Sequence, residues 1–237
     1  MDVSNGSALI TGGGSGLGEA CARRLAAAGA KCVILDMNEE KGKQVASELG
    51  GEFVKADVSN AEQVQVAVET AVGLAPLRVL VNGAGIGNAG RTVDRQGEPF
   101  NYEAFEFVIR VNLLGTFNCI RLAAAMMAKM EPLDDQGQRG AIVNMASVAA
   151  FDGQIGQCAY SASKGGVVGM TLPIARDLAA IGIRINTIAP GLFDTPIYGQ
   201  GEASEAFKAK LGESVLFPKR LGIADELASM VMELLTN

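Results

Sequence analysis

At 237 residues the chain is long enough for one sizeable core, and its formal net charge of −6 disfavours a nucleic-acid backbone as partner. Hydrophobic residues make up 49% and aromatic residues 5%, with 30 glycines and no tryptophan, a balance that suits a buried parallel sheet under close helices rather than a base-stacking platform. With no histidine anywhere, Ser-His-Asp hydrolysis, Cys-His proteolysis and histidine zinc sites are excluded, and no metal is expected.

Short apolar runs alternate with helix-period patterns from end to end, the sequence form of repeated βα units and an α/β fold. The first strand is expected at 8–11. It runs into Thr11-Gly12-Gly13-Gly14-Ser15-Gly16-Leu17-Gly18 and then into a helix over 16–28. A glycine turn at a helix N-terminus offers backbone amides and the positive end of the dipole to phosphate, and missing β-carbons let a pyrophosphate approach. The second strand, 32–36, ends on Asp36, eighteen residues after Gly18. A carboxylate there can accept both adenosine ribose hydroxyls and repels a 2′-phosphate, which favours NAD over NADP.

A helix over 39–49, capped by Asn38, leads to a third strand at 52–56, followed by Asp57 and Val58 at the same sheet edge. After a helix over 60–72 and a fourth strand at 79–82 comes Asn82-Gly83-Ala84-Gly85, small enough to let a cofactor pass. These signals together define a Rossmann-type, doubly wound parallel sheet in a single domain over 1–237. The stretch 88–101 is rich in glycine and charge and reads as an insertion at the sheet rim. A long helix is expected over 102–130, then a fifth strand at 141–146 that delivers Ser147.

The next helix, 157–180, carries Tyr160 and Lys164, with Pro173 expected to kink it. Residues four apart share a helix face, so ammonium and phenol meet, and a cation beside a phenol pulls the tyrosine pKa from about 10 towards neutrality. A sixth strand at 183–188 opens into a polar segment, 191–220, at the ligand-binding edge, read as a substrate lid. A final helix covers 224–235.

Cys21, Cys32, Cys119 and Cys158 show no Cys-x-x-Cys spacing, sit in apolar or helical runs and read as buried reduced thiols. Residues 1–7 hold no leader signal, and apolar stretches are interrupted short of the roughly 18 residues a membrane span needs. No membrane span is expected, and the compartment is cytoplasmic, or a mitochondrial matrix if a targeting peptide has been removed.

In order along nearly the whole chain, Thr11-Gly-x-x-x-Gly-x-Gly18, Asp57, Asn82-x-Ala-Gly85, Asn112, Ser147, Tyr160-x-x-x-Lys164 and Pro190-Gly191 resemble the short-chain dehydrogenase/reductase family. Gly83 departs from it, standing where the family often has a second asparagine. Segments 146–157, 171–177, 189–196 and 217–222 are similar to type 2 3-hydroxyacyl-CoA dehydrogenases, a group that includes enzymes also described as 17β-hydroxysteroid dehydrogenases.

The resemblance implies NAD-dependent interconversion of a 3-hydroxyacyl-CoA and a 3-oxoacyl-CoA. A hydroxysteroid or other secondary-alcohol dehydrogenase and a 3-oxoacyl-carrier-protein reductase are the alternatives, and a non-catalytic dinucleotide-binding protein is the remote one. Tyr160 would be the acid/base, Ser147 would hold the substrate oxygen, Lys164 would tune Tyr160 and bind the nicotinamide ribose, and Asn112 would hold a water linking Lys164 to solvent. Gly12, Ser15, Gly16, Leu17 and Gly18 would serve the phosphates, Asp36 the ribose, Asp57 and Val58 the adenine, Asn82, Gly83 and Ala84 the passage between, and Phe193 and Thr195 the nicotinamide side. The resemblance also implies a homotetramer built on helices 102–130 and 157–180. The family continues with one more strand after the last helix, so the natural polypeptide is expected to run past Asn237.

Overall fold

In the computed structural model, which describes residues 1–199 and 201–237, six parallel strands form one sheet in the order β3-β2-β1-β4-β5-β6. The strands are β1 (Ser7–Thr11), β2 (Lys31–Asp36), β3 (Glu52–Lys55), β4 (Leu77–Asn82), β5 (Gly140–Met145) and β6 (Ile183–Ile188). Direction of winding reverses between β1 and β4, which opens a crevice at their carboxyl ends. Helices α1 (Gly16–Ala27), α2 (Glu39–Leu49), α3 (Ala61–Leu74), α4 (Tyr102–Ile109), α5 (Thr116–Met127) and α6 (Cys158–Ala179) fill the crossovers, and α7 (Glu202–Ser214) and α8 (Ala224–Thr236) follow the last strand.

Strand side chains alternate between two cores. Ala8, Ile10, Ile34, Val81 and Val143 face α1, α2 and α8, whereas Leu9, Leu35, Leu80, Ile142 and Ile185 face α3, α5 and α6. Asn38 and Asn60 accept backbone N–H bonds from Lys41 and Gln63, fixing the entries of α2 and α3 as their sequence positions require. Arg24 on α1 holds Asp225 on α8 through two bonds of 2.6 and 2.7 Å.

Three expectations are refined. The helix over 102–130 is interrupted by a π-helical segment, Arg110–Gly115, between α4 and α5. A β-carbon at Gly115 would lie 2.5 Å from Val58 Cγ2, so the glycine lets this segment press against the loop after β3. The stretch Tyr102–Met127, with a window of mean hydropathy 1.3, is long and apolar enough to cross a membrane, contrary to the reading of interrupted apolar runs. Its most apolar window is 56% buried in the domain, where α5 covers the sheet. The expected lid is not one loop, since it contains the helical turn Pro196–Tyr198 and the helix α7. Gln200, inside it, lies outside the described residues. The helix α6 runs unbroken through Pro173, and Cys158 at its first position is exposed, unlike the buried Cys21, Cys32 and Cys119.

Candidate active site

A cleft of about 440 Å³ runs along the carboxyl ends of β1, β2 and β4. Gly12, Ser15, Gly16, Leu17 and Gly18 line one wall, Asp36, Asp57 and Val58 the far end, and Gly83, Ala84 and Thr195 the near end. Gly12 sits at φ +64°, and a β-carbon there would lie 2.7 Å from the Ala84 nitrogen. At Gly18 a β-carbon would overlap the Gly12 carbonyl oxygen. The turn is therefore a bare backbone cradle at the start of α1, the geometry a pyrophosphate needs.

Asp36 is held by the backbone. Its Oδ2 accepts the Gly14 N–H at 2.9 Å and its Oδ1 the Asn38 N–H at 2.9 Å. Asn38, not Asp36, caps α2, so the carboxylate faces the cleft rather than serving the helix. Asp57 Oδ1 accepts from the Ser59 N–H and hydroxyl, both at 2.8 Å, while Val58 is fixed by Asn118 Nδ2 donating to its carbonyl at 2.8 Å. These contacts pre-set the wall that would meet an adenosine.

The reacting side chains come from β5 and α6. Ser147 follows β5 in extended conformation, and its Oγ accepts the Ala149 N–H at 3.1 Å, leaving the hydroxyl hydrogen free to donate. Tyr160 and Lys164 share one face of α6, with Nζ 5.8 Å from the phenol ring centroid, as their spacing predicts. Lys164 is buried and Nζ donates to the Met145 carbonyl at 2.8 Å. The expected depression of the Tyr160 pKa is reversed here. Burial raises it, and the Ser147 hydroxyl nearby pulls only part of the way back. Burial also lowers Lys164 to about 8. Loss of water works against the charged form of each group separately, and Lys164 still holds its proton at neutral pH.

Three expected site residues have different local roles from those the resemblance implied. Asn112, in the π segment, spends both Nδ2 hydrogens on the Ile86 carbonyl (2.9 Å) and Ser163 Oγ (3.1 Å), while its Oδ1 accepts the Ile86 N–H at 2.8 Å. Its side chain clamps the cleft-lining loop after β4. Asn82 points along the sheet, Nδ2 donating to Asn144 Oδ1 at 2.8 Å, so only the following Gly83 and Ala84 reach the cleft. Phe193 packs against Gly222 and the core instead of lining the cleft. Ser147, Tyr160 and Lys164 lie beside the cleft rather than in its wall. Gly85 joins the two, since a β-carbon there would be 3.3 Å from Lys164 Nζ.

Sequence reasoning missed Met37, Ile86, Phe107 and Val111, which line the cleft, whereas Pro196 and Ile197, which line it too, fall inside the expected lid. Met37 stands next to Asp36 and is 61% exposed, a signal that an apolar side chain at a strand end could have given. The others depend on how α4 and the lid pack.

A bare phosphate cradle, a fixed carboxylate at the end of β2 and an adjoining Ser-Tyr-Lys set define a dinucleotide-dependent oxidoreductase on a doubly wound sheet. The short chain dehydrogenase family model matches residues 7–206. The chain belongs to the short chain dehydrogenase family. It is 51% identical over 234 residues to 3-hydroxyacyl-CoA dehydrogenase type-2 of Homo sapiens, covering 97% of this chain and 88% of the human protein. Against 3-hydroxyacyl-CoA dehydrogenase type-2 of Drosophila melanogaster it is 49% identical over 239 residues, 99% of this chain and 92% of that protein. The crystal structure of 3-hydroxyacyl-CoA dehydrogenase type-2 from Mycobacterium avium superimposes with a TM-score of 0.93 at 46% identity, covering 100% of this chain and 91% of that one. Dehydrogenases of this family use a nicotinamide dinucleotide and act on small molecules, and this chain is such an enzyme.

Proposed function

We propose that the chain is an NAD-dependent 3-hydroxyacyl-CoA dehydrogenase, with Tyr160 as its acid/base. The observation that carries the substrate class is the near-full-length likeness to enzymes named for that reaction, joined to an intact Ser147, Tyr160 and Lys164 set. NAD rather than NADP is supported by Asp36, whose carboxylate is locked at the ribose end of the cleft by Gly14 and Asn38.

Gly12, Gly16 and Gly18 would cradle the pyrophosphate and Asp36 the adenosine ribose. When bound, the oxidised dinucleotide supplies the hydride acceptor and a positive ring. In the oxidation direction Tyr160, as phenolate, takes the proton of the substrate hydroxyl while Ser147 donates to the same oxygen and holds the carbinol carbon in place. In reduction Tyr160 returns the proton. Lys164, still charged below about pH 8, favours the phenolate from one turn along α6. Its bond to the Met145 carbonyl keeps the ammonium from swinging away.

A homotetramer is proposed as well, supported by apolar side chains left exposed on the helices the family pairs: Leu114 in the π segment at 55%, Phe117 on α5 at 47% and Leu172 on α6 at 57%. Light scattering should give four times the protomer mass, and a stable monomer contradicts it. Reduced cysteines fit a cytoplasmic or matrix location, checked by imaging a tagged chain. For the activity, initial rates on acetoacetyl-CoA, a 3-oxoacyl-carrier-protein thioester and a hydroxysteroid should rank the CoA ester first. A preference for either of the others overturns the substrate assignment.

A further inference from the structure

At the carboxyl edge of the sheet, on the side that α6 covers, one row of side chains is polar. Two residues earlier on each strand Leu80, Ile142 and Ile185 form an apolar row, and the period of two brings Asn82, Asn144 and Thr187 to the same face. These three pair in register across β4, β5 and β6. Asn82 Nδ2 donates to Asn144 Oδ1 at 2.8 Å, and Asn144 Nδ2 donates to Thr187 Oγ1 at 3.3 Å. Thr187 in turn meets Thr171 on α6, their hydroxyl oxygens 2.6 Å apart. Because Thr171 gives its hydrogen to the Val167 carbonyl at 2.8 Å, Thr187 is the donor of that pair, and the bonds run one way from β4 to α6. Asn82 Oδ1, at the start of the row, is buried without a partner among the described residues, which is a cost to folding.

Each member of the row adjoins a group that the site uses. Gly83 and Ala84 of the cleft wall follow Asn82, and Met145, whose carbonyl accepts Lys164 Nζ at 2.8 Å, follows Asn144. On α6, Lys164 and Thr171 stand two turns apart on one face, with the buried Val167 between them. The helix is thus tied to the sheet by polar contacts at two points of that face, Lys164 to β5 and Thr171 to β6. Apolar contacts such as those of Val167 and Ile174 have no direction and let a helix roll, whereas directed bonds at two points fix its rotation. We propose that Thr171, through Thr187, is a positioning residue for the reaction, setting the rotation of α6 that aims Tyr160 and Lys164 at Ser147 and the cleft. It rests on the roles given above to Tyr160 and Lys164. A misplacement of about 1 Å at reacting groups is enough to slow chemistry heavily.

Thr171→Val keeps the shape of the side chain and removes the hydroxyl, whereas Thr171→Ser keeps the hydroxyl. With acetoacetyl-CoA and NADH, Thr171→Val should lower kcat about ten-fold with KM and NADH Kd within about two-fold of wild type, and Thr171→Ser should hold kcat within about two-fold. Thr187→Val, which removes the other half of the pair, should show the same loss of kcat. Ile174→Ala opens a cavity on the same helix without touching the row; it should lower the denaturation midpoint at least as far as Thr171→Val and leave kcat near the wild-type value. Wild-type kcat in either valine variant, a loss that Thr171→Ser shares, or an equal loss in Ile174→Ala overturns the proposal. Any ketone that the wild type reduces serves in place of acetoacetyl-CoA, so failure of the acyl-CoA assignment leaves this test standing. A wild type that reduces none overturns the roles of Tyr160 and Lys164, and that of Thr171 with them.

Discussion

The two ends of the crevice are built in opposite ways. The dinucleotide end, around β1, β2 and β3, is made of backbone: glycines without side chains, and carboxylates steered by N–H groups of Gly14, Asn38 and Ser59. The reacting end, around β5, α6 and the lid, is made of side chains whose protonation is set by burial, with Tyr160 raised and Lys164 lowered. A backbone cradle tolerates no added atom but is indifferent to pH. A buried phenol and ammonium tolerate neighbours of similar shape but answer to every charge brought near them.

This contrast can be broken at four points. Tyr160→Phe should lower turnover roughly a thousand-fold while leaving dinucleotide affinity unchanged in a fluorescence titration; a matching loss of affinity would merge the two ends. Lys164→Met should reveal a pH-dependent stability term in chemical denaturation of the dinucleotide-free protein. The folded pKa near 8 lies below the reference 10.5, so the cost of burying the ammonium is fully present below pH 8 and is relieved as pH rises from 8 to 10.5. Wild-type stability should therefore gain on the variant by up to about 3 kcal/mol across that window, and a flat difference contradicts it.

Gly18→Ala places an atom against the Gly12 carbonyl, which no rotamer change relieves. Dinucleotide Kd by calorimetry should rise about a hundred-fold, with Tyr160 chemistry surviving at saturation. The smallest effect is expected from Asp36→Ala with Met37→Arg, which should raise the ratio of NADP to NAD kcat/KM about ten-fold. An unmoved ratio would remove Asp36 as the discriminator.

The backbone-built end was the more legible in the sequence, because a glycine turn, a strand-end Asp36 and the periodic strands are local patterns. All six strands fall within about two residues of their expected bounds for the same reason. What escaped depends on tertiary contact. The π segment exists where Gly115 meets Val58, fifty-seven residues away in the chain. The resemblance alone points to Asn112 and Phe193, but Ile86 and Gly222 decide where their side chains go. The Tyr160 pKa was read from one neighbour, Lys164, while the larger effect is loss of water, which spacing along a helix does not report. Helix α7 carries little signal in the sequence, being weakly amphipathic, and its partners Tyr198 and Asp194 precede it.

The central claim is that the Tyr160 end abstracts a proton from a 3-hydroxyacyl-CoA whose hydride passes to a dinucleotide in the glycine-lined end. The most direct measurement incubates the enzyme with NAD and 3-hydroxybutyryl-CoA carrying deuterium at the carbinol carbon, and follows the label by mass spectrometry. The account predicts one deuterium in each reduced dinucleotide, formed in step with acetoacetyl-CoA. Acetoacetyl-CoA without label in the dinucleotide, or no turnover by a folded, NAD-binding protein, would contradict it.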